Sequence, residues 1–310
     1  MSVNSGEMGV SSRTSVSMGS AGNEDGHTDN PLLDPLGGSA SVSSATSRNS
    51  NVRSWDSQIA KLQQASNIIA HVLAFASVAL VTLWISNLGG LSWKPGEAKK
   101  VFNWHPLLMI AAFAFMTVAA LSFRFPYDVG NRAMRKLLHG MAWTVAFLSA
   151  LVALIAVFKS HNDPQSGYIA NLYSLHSWVG VAVILLYSIQ FFMGIFSFVW
   201  PLPSVTPAVK AKVMSFHRFM GPFVYNCSAA TILLGIQEKE GFIGCSYSVN
   251  EADLFPPKHI MDIPASCRIS HTLGIVVLCL ALFTSFALHE FTNKRPGGNQ
   301  SPVQPGDHIL

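Results

Sequence analysis

The stretch NLYSLHSWVGVAVILLYSIQFFMGIFSFVW, residues 171–200, decides the fold class. It contains no Asp, Glu, Lys or Arg, and its section 174–200 exceeds the roughly 20 mainly apolar residues that a helix needs to cross a bilayer. A strand of a membrane barrel would alternate apolar and polar residues, and this stretch does not. It therefore predicts a membrane-spanning α-helix.

Five further stretches have the same character, so the chain is predicted to be an all-α membrane protein with six transmembrane helices. The spans, numbered one to six in chain order, are 66–88, 103–123, 138–158, 174–200, 214–236 and 269–290. The whole chain of 310 residues is 50% hydrophobic and 12% charged, against about 25% charged in an ordinary soluble domain. This composition excludes a soluble enzyme and a fibrous protein. The net charge of +4 is small and dispersed, which excludes nucleic acid as a partner.

Polar segments flank the membrane region on both sides. Residues 1–65 are predicted to be an N-terminal tail, 66–291 the membrane domain, and 292–310 a C-terminal tail. Residues 1–54 contain 14 serines and should be disordered, whereas 55–65 could form a short surface helix. An even number of spans puts both termini on one side, which then holds 13 of the 20 Lys and Arg residues. The positive-inside rule makes that side cytosolic.

Four histidines stand near the starts of four successive spans. His105 and His176 begin spans two and four, and His139 and His217 begin spans three and five. Because consecutive helices run in opposite directions, the first two share a depth in the outer leaflet and the last two a depth in the inner leaflet. A central four-helix bundle of spans two to five can bring each pair together across its interior.

Two facing imidazoles on different helices can ligate a b-type haem from both sides, which suits electron transfer rather than oxygen binding. The sequence therefore predicts two haem b groups, with His105, His176, His139 and His217 as the axial ligands of the iron. Gly180 and Gly221, each one turn after a histidine, and Gly140 leave room for a porphyrin. No separate catalytic residue is predicted.

Two other functions fit the same histidines. Intramembrane histidines can form a proton relay, so a proton-coupled transporter without haem is the main alternative. A structural or receptor-like bundle, in which the histidines only cap helices, is the other. An absorption spectrum separates these alternatives, because only the first function requires a haem.

The chain resembles the cytochrome b561 family of ascorbate-reducible di-haem membrane cytochromes. The resemblance covers residues 66–291 and is carried by FNWHPLLM (102–109), KLLHG (136–140), FKSHN (158–162), NLYSLHSW (171–178) and the His217 segment. It implies an ascorbate-dependent transmembrane oxidoreductase, which moves electrons from cytosolic ascorbate through two haems. The implied acceptor on the other side is monodehydroascorbate or a ferric chelate. The oligomeric state stays open, with a homodimer as one option.

The same resemblance implies substrate-binding residues on both sides. Lys136 resembles the family's cytosolic ascorbate lysine, and a cation there suits the ascorbate anion. Neighbouring basic residues would add to that positive field: Arg124, Arg132, Arg135, Lys210 and Lys212. On the non-cytosolic side, His161 and Tyr173 resemble the family's second substrate site. A histidine there could exchange the proton that accompanies ascorbate oxidation.

Two further features concern redox state and sorting. Cys245 and Cys267 share the outer loop 237–268, where a disulfide and two free thiols are equally open, whereas Cys227 and Cys279 lie within spans and should be buried. The string Asp29-Asn30-Pro31-Leu32-Leu33 matches an acidic dileucine sorting signal, although it could also arise by chance. It favours an endosomal, lysosomal or vacuolar membrane over the plasma membrane.

Overall fold

A computed structural model describes residues 38–124, 131–245 and 263–289, and the side chains of the first helix from residue 54 onwards. The chain divides into two compact units, Met1–Asn51 and Val52–Leu310. All side-chain contacts discussed below lie within the second unit. The dileucine string and the C-terminal tail lie outside the described residues.

Every regular element among the described residues is helical. The helices are α1 (Gly38–Asn87), α2 (Ala98–Phe102), α3 (Trp104–Leu121), α4 (Arg132–His161), α5 (Leu175–Gly194), α6 (Pro207–Phe242) and α7 (Ala265–Leu288). A π-helical turn, Ile195–Val199, continues α5. Six helical segments are long and apolar enough to cross a membrane: Ser54–Asn87, Ala98–Leu121, Arg132–His161, Leu175–Val199, Pro207–Phe242 and Ala265–Leu288. The predicted all-α fold with six transmembrane helices is confirmed.

Three helices begin earlier than their apolar stretches indicate. Helix α1 begins at Gly38, so part of the segment predicted to be a disordered tail is helical. No glycine or proline interrupts residues 39–88, which removes the usual helix breakers. Asn131 caps α4 by accepting from the backbone N–H of Ala133 at 2.6 Å, and Thr206 caps α6. Capping residues thus set the starts of α4 and α6, not the limits of the apolar runs.

Span two is interrupted near its beginning by Asn103, which lies between α2 and α3 and is 1% exposed. Its side-chain amide donates to the carbonyl oxygens of Leu88 at 3.4 Å and Gly90 at 2.8 Å, at the end of α1. These bonds satisfy carbonyl groups that the helix terminus leaves open. They also fix the start of α3, two residues before His105.

The helices pack as two hairpins with two flanking helices. Helix α3 packs along α4 and α5 along α6, while α6 also contacts α3 and α7. The buried core includes Trp84 of α1, Phe113 of α3, Tyr225 of α6 and Leu280 of α7. Tyr225 is hydrogen-bonded to threonines of α3 and α7, so polar contacts also join three helices within the core. Large apolar side chains cover the outer surface, as expected for contact with lipid.

The cysteines fall into the two groups that their positions indicate. Cys245 and Cys267 form a disulfide that joins the segment after α6 to the first turn of α7. Cys227 and Cys279 are free thiols and are partly buried. The disulfide therefore closes the long connection between spans five and six.

Candidate functional site

The structure brings the four predicted histidines together in two pairs. The rings of His105 (α3) and His176 (α5) have centroids 6.1 Å apart and are nearly perpendicular, at 82°. The rings of His139 (α4) and His217 (α6) also have centroids 6.1 Å apart, at 72°. Each pair joins one helix of the α3–α4 hairpin to one helix of the α5–α6 hairpin.

Hydrogen bonds within each hairpin orient the four rings. The Nδ1–H of His105 donates to the carbonyl of Ala153 at 3.2 Å, and that of His139 donates to the carbonyl of Ala119 at 2.8 Å. In the other hairpin, His176 donates to the carbonyl of Thr231 at 3.0 Å. A carbonyl oxygen can only accept, so each of these Nδ1 atoms carries the proton.

The fourth ring is held by a side chain. The Nδ1–H of His217 donates to Oε1 of Gln190 on α5 at 2.7 Å. In all four imidazoles Nδ1 is therefore used as a donor, which leaves Nε2 as the nitrogen that can bind a metal. This is the arrangement found around metal-binding histidines, whose second nitrogen donates to a carbonyl or carboxylate group. Sequence reasoning missed Gln190, although it is the only side-chain amide in residues 175–200.

The donor set fits a haem better than a bare metal ion. Among the described residues, no group of three or more His, Cys, Asp or Glu side chains gathers to form a protein-only metal site. Each pair offers two nitrogens, whereas a structural metal site usually has four protein ligands. A porphyrin supplies the remaining four nitrogens, so two opposed imidazoles complete the coordination of a haem iron.

Space beside the rings supports the same assignment, with one exception. A Cβ atom added at Gly140 or Gly221 would meet nothing within 4 Å. A Cβ added at Gly180 would instead lie 3.6 Å from Cγ2 of Thr231, because α5 packs closely on α6 there. Gly180 therefore faces a side chain of α6 at an ordinary contact distance and lacks the open space found beside Gly140 and Gly221.

Gly235 on α6 is a second residue that sequence reasoning missed. A Cβ there would lie 2.7 Å from Cε1 of His176, 3.1 Å from its Nδ1 and 3.2 Å from its Nε2. Only glycine lets the ring lie this close to α6 and donate to the carbonyl of Thr231, one turn away. No sequence signal marks this role, since it depends on how α5 and α6 cross.

Three buried donors near the His139–His217 pair have no hydrogen-bond partner. They are Nε of Arg135, Nε1 of Trp143 and Nε2 of Gln190. Arg135 and Trp143 lie one turn before and after His139, on the same face of α4. The two carboxylates of a haem are the kind of acceptor that such donors require, which is a further point of fit.

The predicted non-cytosolic residues lie at the opposite end of α4. His161 ends α4, and its ring stacks on Phe102 with centroids 6.2 Å apart and a tilt of 7°. Its Nδ1 is buried without a partner. Phe102 also contacts the ring of His105, with centroids 5.8 Å apart. One aromatic side chain thus connects the predicted substrate residue with a predicted haem ligand.

Tyr173 lies beside a carboxylate that sequence reasoning missed. Its hydroxyl donates to Oε1 of Glu238 at 2.7 Å, while Ser174 donates to Oε2 at 2.9 Å. Burial and the hydrogen bond to Glu238 raise the pKa of the Tyr173 phenol. Tyr173 is therefore a neutral donor at physiological pH.

Lys239 adds a positive charge at this end. Its Nζ lies 4.4 Å from the centroid of the Phe102 ring, on which His161 also stacks. Cation–π contact of this kind is favourable and holds the ammonium group beside the ring. The sequence places Lys239 among the non-cytosolic residues but does not indicate its proximity to Phe102.

The predicted cytosolic residues are not all in one place. The first turns of α4 and α6 begin at the same end of the bundle and carry Arg132, Arg135, Lys136, Lys210 and Lys212. Arg124 follows α3, and its Nη2 donates to the carbonyl of Leu288 at the end of α7, at 2.8 Å. Arg124 is thus hydrogen-bonded to the end of α7, whereas the other five residues lie on α4 and α6.

Comparisons with known proteins agree on one family. The family model described as "Eukaryotic cytochrome b561" matches residues 104–243. "Plasma membrane ascorbate-dependent reductase CYBRD1" of Rattus norvegicus is 32% identical over 232 residues, which cover 74% of this chain and 75% of that protein. "Ascorbate-specific transmembrane electron transporter 1" of Zea mays is 37% identical over 178 residues, covering 57% of this chain and 73% of that protein.

Gln190 gives a direct test of how the His217 ring is held. Gln190→Leu removes the acceptor for Nδ1, so we expect the haem affinity of the His139–His217 pair to fall by about 10- to 100-fold. Gln190→Glu makes the imidazole more electron-rich and should lower the midpoint potential of that haem. Haem content and redox titration of the purified protein measure these effects. Ser188→Ala on the same helix is the control, and wild-type values in both Gln190 variants would contradict the assignment.

Gly235 tests the other pair. In Gly235→Ala the new methyl group would overlap the His176 ring, so we expect loss of the haem held by His105 and His176 and retention of the other. The control is Gly241→Ala on the same helix, where a Cβ meets nothing within 4 Å. Reduced-minus-oxidised spectra distinguish the two haems. Two unperturbed haems in Gly235→Ala would show that the close approach of α6 is not needed.

Proposed function

Because the chain belongs to the eukaryotic cytochrome b561 family, we propose that it is an ascorbate-dependent transmembrane oxidoreductase that carries electrons from cytosolic ascorbate to the opposite side. The names of the rat and maize relatives, a reductase and an electron transporter that use ascorbate, support this activity. The observation that carries the proposal is the arrangement of four histidines in two facing pairs, each ring fixed through Nδ1.

The proposed cofactors are two haem b groups, one held by His105 and His176 and the other by His139 and His217. Haem b supplies a one-electron carrier within an otherwise insulating bundle. The protein's part would be to hold each haem with two imidazoles, which would leave the iron no free position for oxygen. Arg135 and Trp143 would donate to the haem carboxylates next to His139, since their nitrogens are buried and unpaired.

The ascorbate site is proposed at the end where α4 and α6 begin. Lys136 is exposed on α4, three residues before His139, and can hold the ascorbate anion close to a haem ligand. Arg132, Lys210 and Lys212 add positive charge at the same end. This field raises the local concentration of an anionic donor and is screened by salt.

The acceptor site is proposed at the other end, around His161 and Tyr173. The acceptor is monodehydroascorbate or a ferric chelate, and both can be anionic, which suits the positive charge of Lys239. Reduction of monodehydroascorbate to ascorbate takes up one electron and one proton. His161 is the proposed partner for that proton, and its buried Nδ1, which has no partner in the protein, supports this role.

Orientation and location complete the proposal. Both termini are proposed to be cytosolic, since this places most basic residues on the cytosolic side. The rat relative is named a plasma membrane protein, whereas the dileucine string favours an endosomal, lysosomal or vacuolar membrane here. Imaging of a Leu32→Ala/Leu33→Ala variant should show movement to the cell surface, and an unchanged distribution would exclude sorting by this string.

The proposed function requires haem, so spectroscopy is its first test. The purified protein should show a b-type Soret band and α bands that appear on adding ascorbate. His105→Ala and His176→Ala should remove one haem, and His139→Ala and His217→Ala the other. Absence of haem from the purified protein would leave the proton-coupled transporter as the better explanation.

Reconstituted vesicles test the direction and the acceptor. Vesicles loaded with ascorbate should reduce external monodehydroascorbate or a ferric chelate, and the preferred acceptor is read from the two rates. Lys136→Gln should raise the ascorbate concentration needed for half-maximal rate, whereas Lys61→Gln, a charge-matched change on α1, should not. A rate that does not depend on the His161 side chain would remove His161 from the acceptor site.

A further inference from the structure

A polar cavity lies at the end of the bundle where α1 enters and α7 ends. One residue of its lining, Phe123, also contacts the ring of His139, with centroids 5.4 Å apart. Its volume is about 210 Å³, several times the roughly 30 Å³ that one water molecule occupies in the liquid. Its lining consists mainly of Gln63, Gln64 and Asn67 of α1, Phe123 and Arg124 after α3, and Ala287 of α7. The proposed function uses none of these side chains.

Asn67 indicates that the cavity needs an occupant. Its side chain is 1% exposed, and neither Nδ2 nor Oδ1 has a hydrogen-bond partner. A buried amide without partners is unfavourable, and it is more so in an apolar environment. Because the amide offers one donor group and one acceptor, the occupant must itself carry both, as a hydroxyl group does.

The charge of the cavity is positive. Arg124 uses Nη2 to donate to the carbonyl of Leu288, which leaves other N–H groups of the guanidinium for a ligand. Gln63 donates to the carbonyls of Phe286 at 3.2 Å and His289 at 2.6 Å. These bonds cover the negative end of α7. Since no carboxylate belongs to the described lining, the cavity favours an anion.

The position of the cavity favours a lipid as the source of that anion. Asn67 stands where the apolar run of span one begins, which is the level of the membrane interface. On α1, Ile68, Val72 and Phe75 are 51%, 61% and 78% exposed. They follow Gln64 of the cavity lining at spacings of three or four residues, so they lie on the same side of the helix and present an apolar surface near the cavity. A molecule with a polar anionic group and long apolar chains matches both surfaces at once.

We propose that this cavity binds the head group of an anionic phospholipid that carries hydroxyl groups, such as phosphatidylglycerol. The phosphate lies on the guanidinium of Arg124, and a head-group hydroxyl exchanges hydrogen bonds with the Asn67 amide. The acyl chains follow the exposed apolar face of α1. This site is separate from the histidine pairs and does not depend on the identity of the electron acceptor.

Native mass spectrometry of the full-length protein tests the proposal. With equal amounts of phosphatidylglycerol and phosphatidylcholine, the protein should retain one phosphatidylglycerol. Arg124→Gln and Asn67→Leu should each weaken this retention by about tenfold, the effect of losing one charge-assisted or fully buried hydrogen bond. Lys61→Gln removes one positive charge from α1 outside the cavity and should retain the lipid as the wild type does.

If Arg124→Gln fails to fold, thermal unfolding of the wild type and of Asn67→Leu still tests the proposal. Asn67→Leu removes an unpaired amide, so its melting temperature in lipid-free detergent should be at or above the wild-type value. Phosphatidylglycerol should raise the melting temperature of the wild type by more than that of Asn67→Leu, because the variant binds the lipid more weakly. Equal stabilisation of both proteins would overturn the proposal.

Competition between phosphatidylglycerol and a soluble phosphate shows which of the two supplies the anion that binds in the cavity. Phosphatidylglycerol binding that millimolar sn-glycerol 3-phosphate does not displace supports a lipid site. Binding of glycerol 3-phosphate without binding of the lipid would overturn the lipid in favour of a soluble phosphate. If Lys61→Gln loses as much lipid as Arg124→Gln does, the lipid is held by general charge attraction. If the protein retains neither the lipid nor glycerol 3-phosphate, the cavity holds only water. Both of these outcomes overturn the proposal.

Discussion

The hydrogen bond from each histidine Nδ1 to the partner helix of its own hairpin is the interaction on which the rest of the site depends. His105 and His139 bond across the α3–α4 hairpin in opposite directions, to Ala153 and Ala119. His176 and His217 do the same across the α5–α6 hairpin. In an apolar interior water cannot satisfy these nitrogens, so helix packing must. Packing within the hairpins therefore fixes the tautomer and direction of every ring, and packing between them brings the rings into pairs.

The contrast between packing within the hairpins and packing between them explains how much of the fold and of the site could be predicted from the sequence. Six spans follow from apolar length, and the pairing of His105 with His176 follows from their common depth at the starts of two helices that run in the same direction. The partners of the rings are mostly backbone carbonyls, which have no side-chain identity to recognise. The role of Gly235 could not be predicted from the sequence either, because its contact with His176 depends on the crossing of α5 and α6. Gln190 could have been found, since an amide inside an apolar span requires a partner.

The two ends of the bundle differ in chemistry. The end that carries Lys136 presents several exposed basic side chains, which would attract a small anion from solution. At the other end, Tyr173 donates to Glu238 and Lys239 lies on Phe102, so opposite charges occur close together. An end that carries charges of both signs can bind an anion, and it can also bind a substrate that takes up a proton together with its electron. The asymmetry fits the proposed flow of electrons from an anionic donor to an acceptor that also needs a proton.

Unpaired polar atoms are the common feature of the proposed haem and lipid sites. In the part of the chain that the structure describes, the buried side-chain atoms without partners belong to Asn67, Trp84, Arg135, Trp143, His161 and Gln190. Three of these residues surround the His139–His217 pair, one faces the proposed acceptor site and one faces the cavity beside α7. Nothing in the structure explains Trp84. A membrane-embedded protein must satisfy its polar groups without bulk water, so the unpaired atoms other than that of Trp84 indicate places where another molecule completes the fold. Haem carboxylates, a reducible substrate and a lipid head group are chemically different occupants that meet the same requirement.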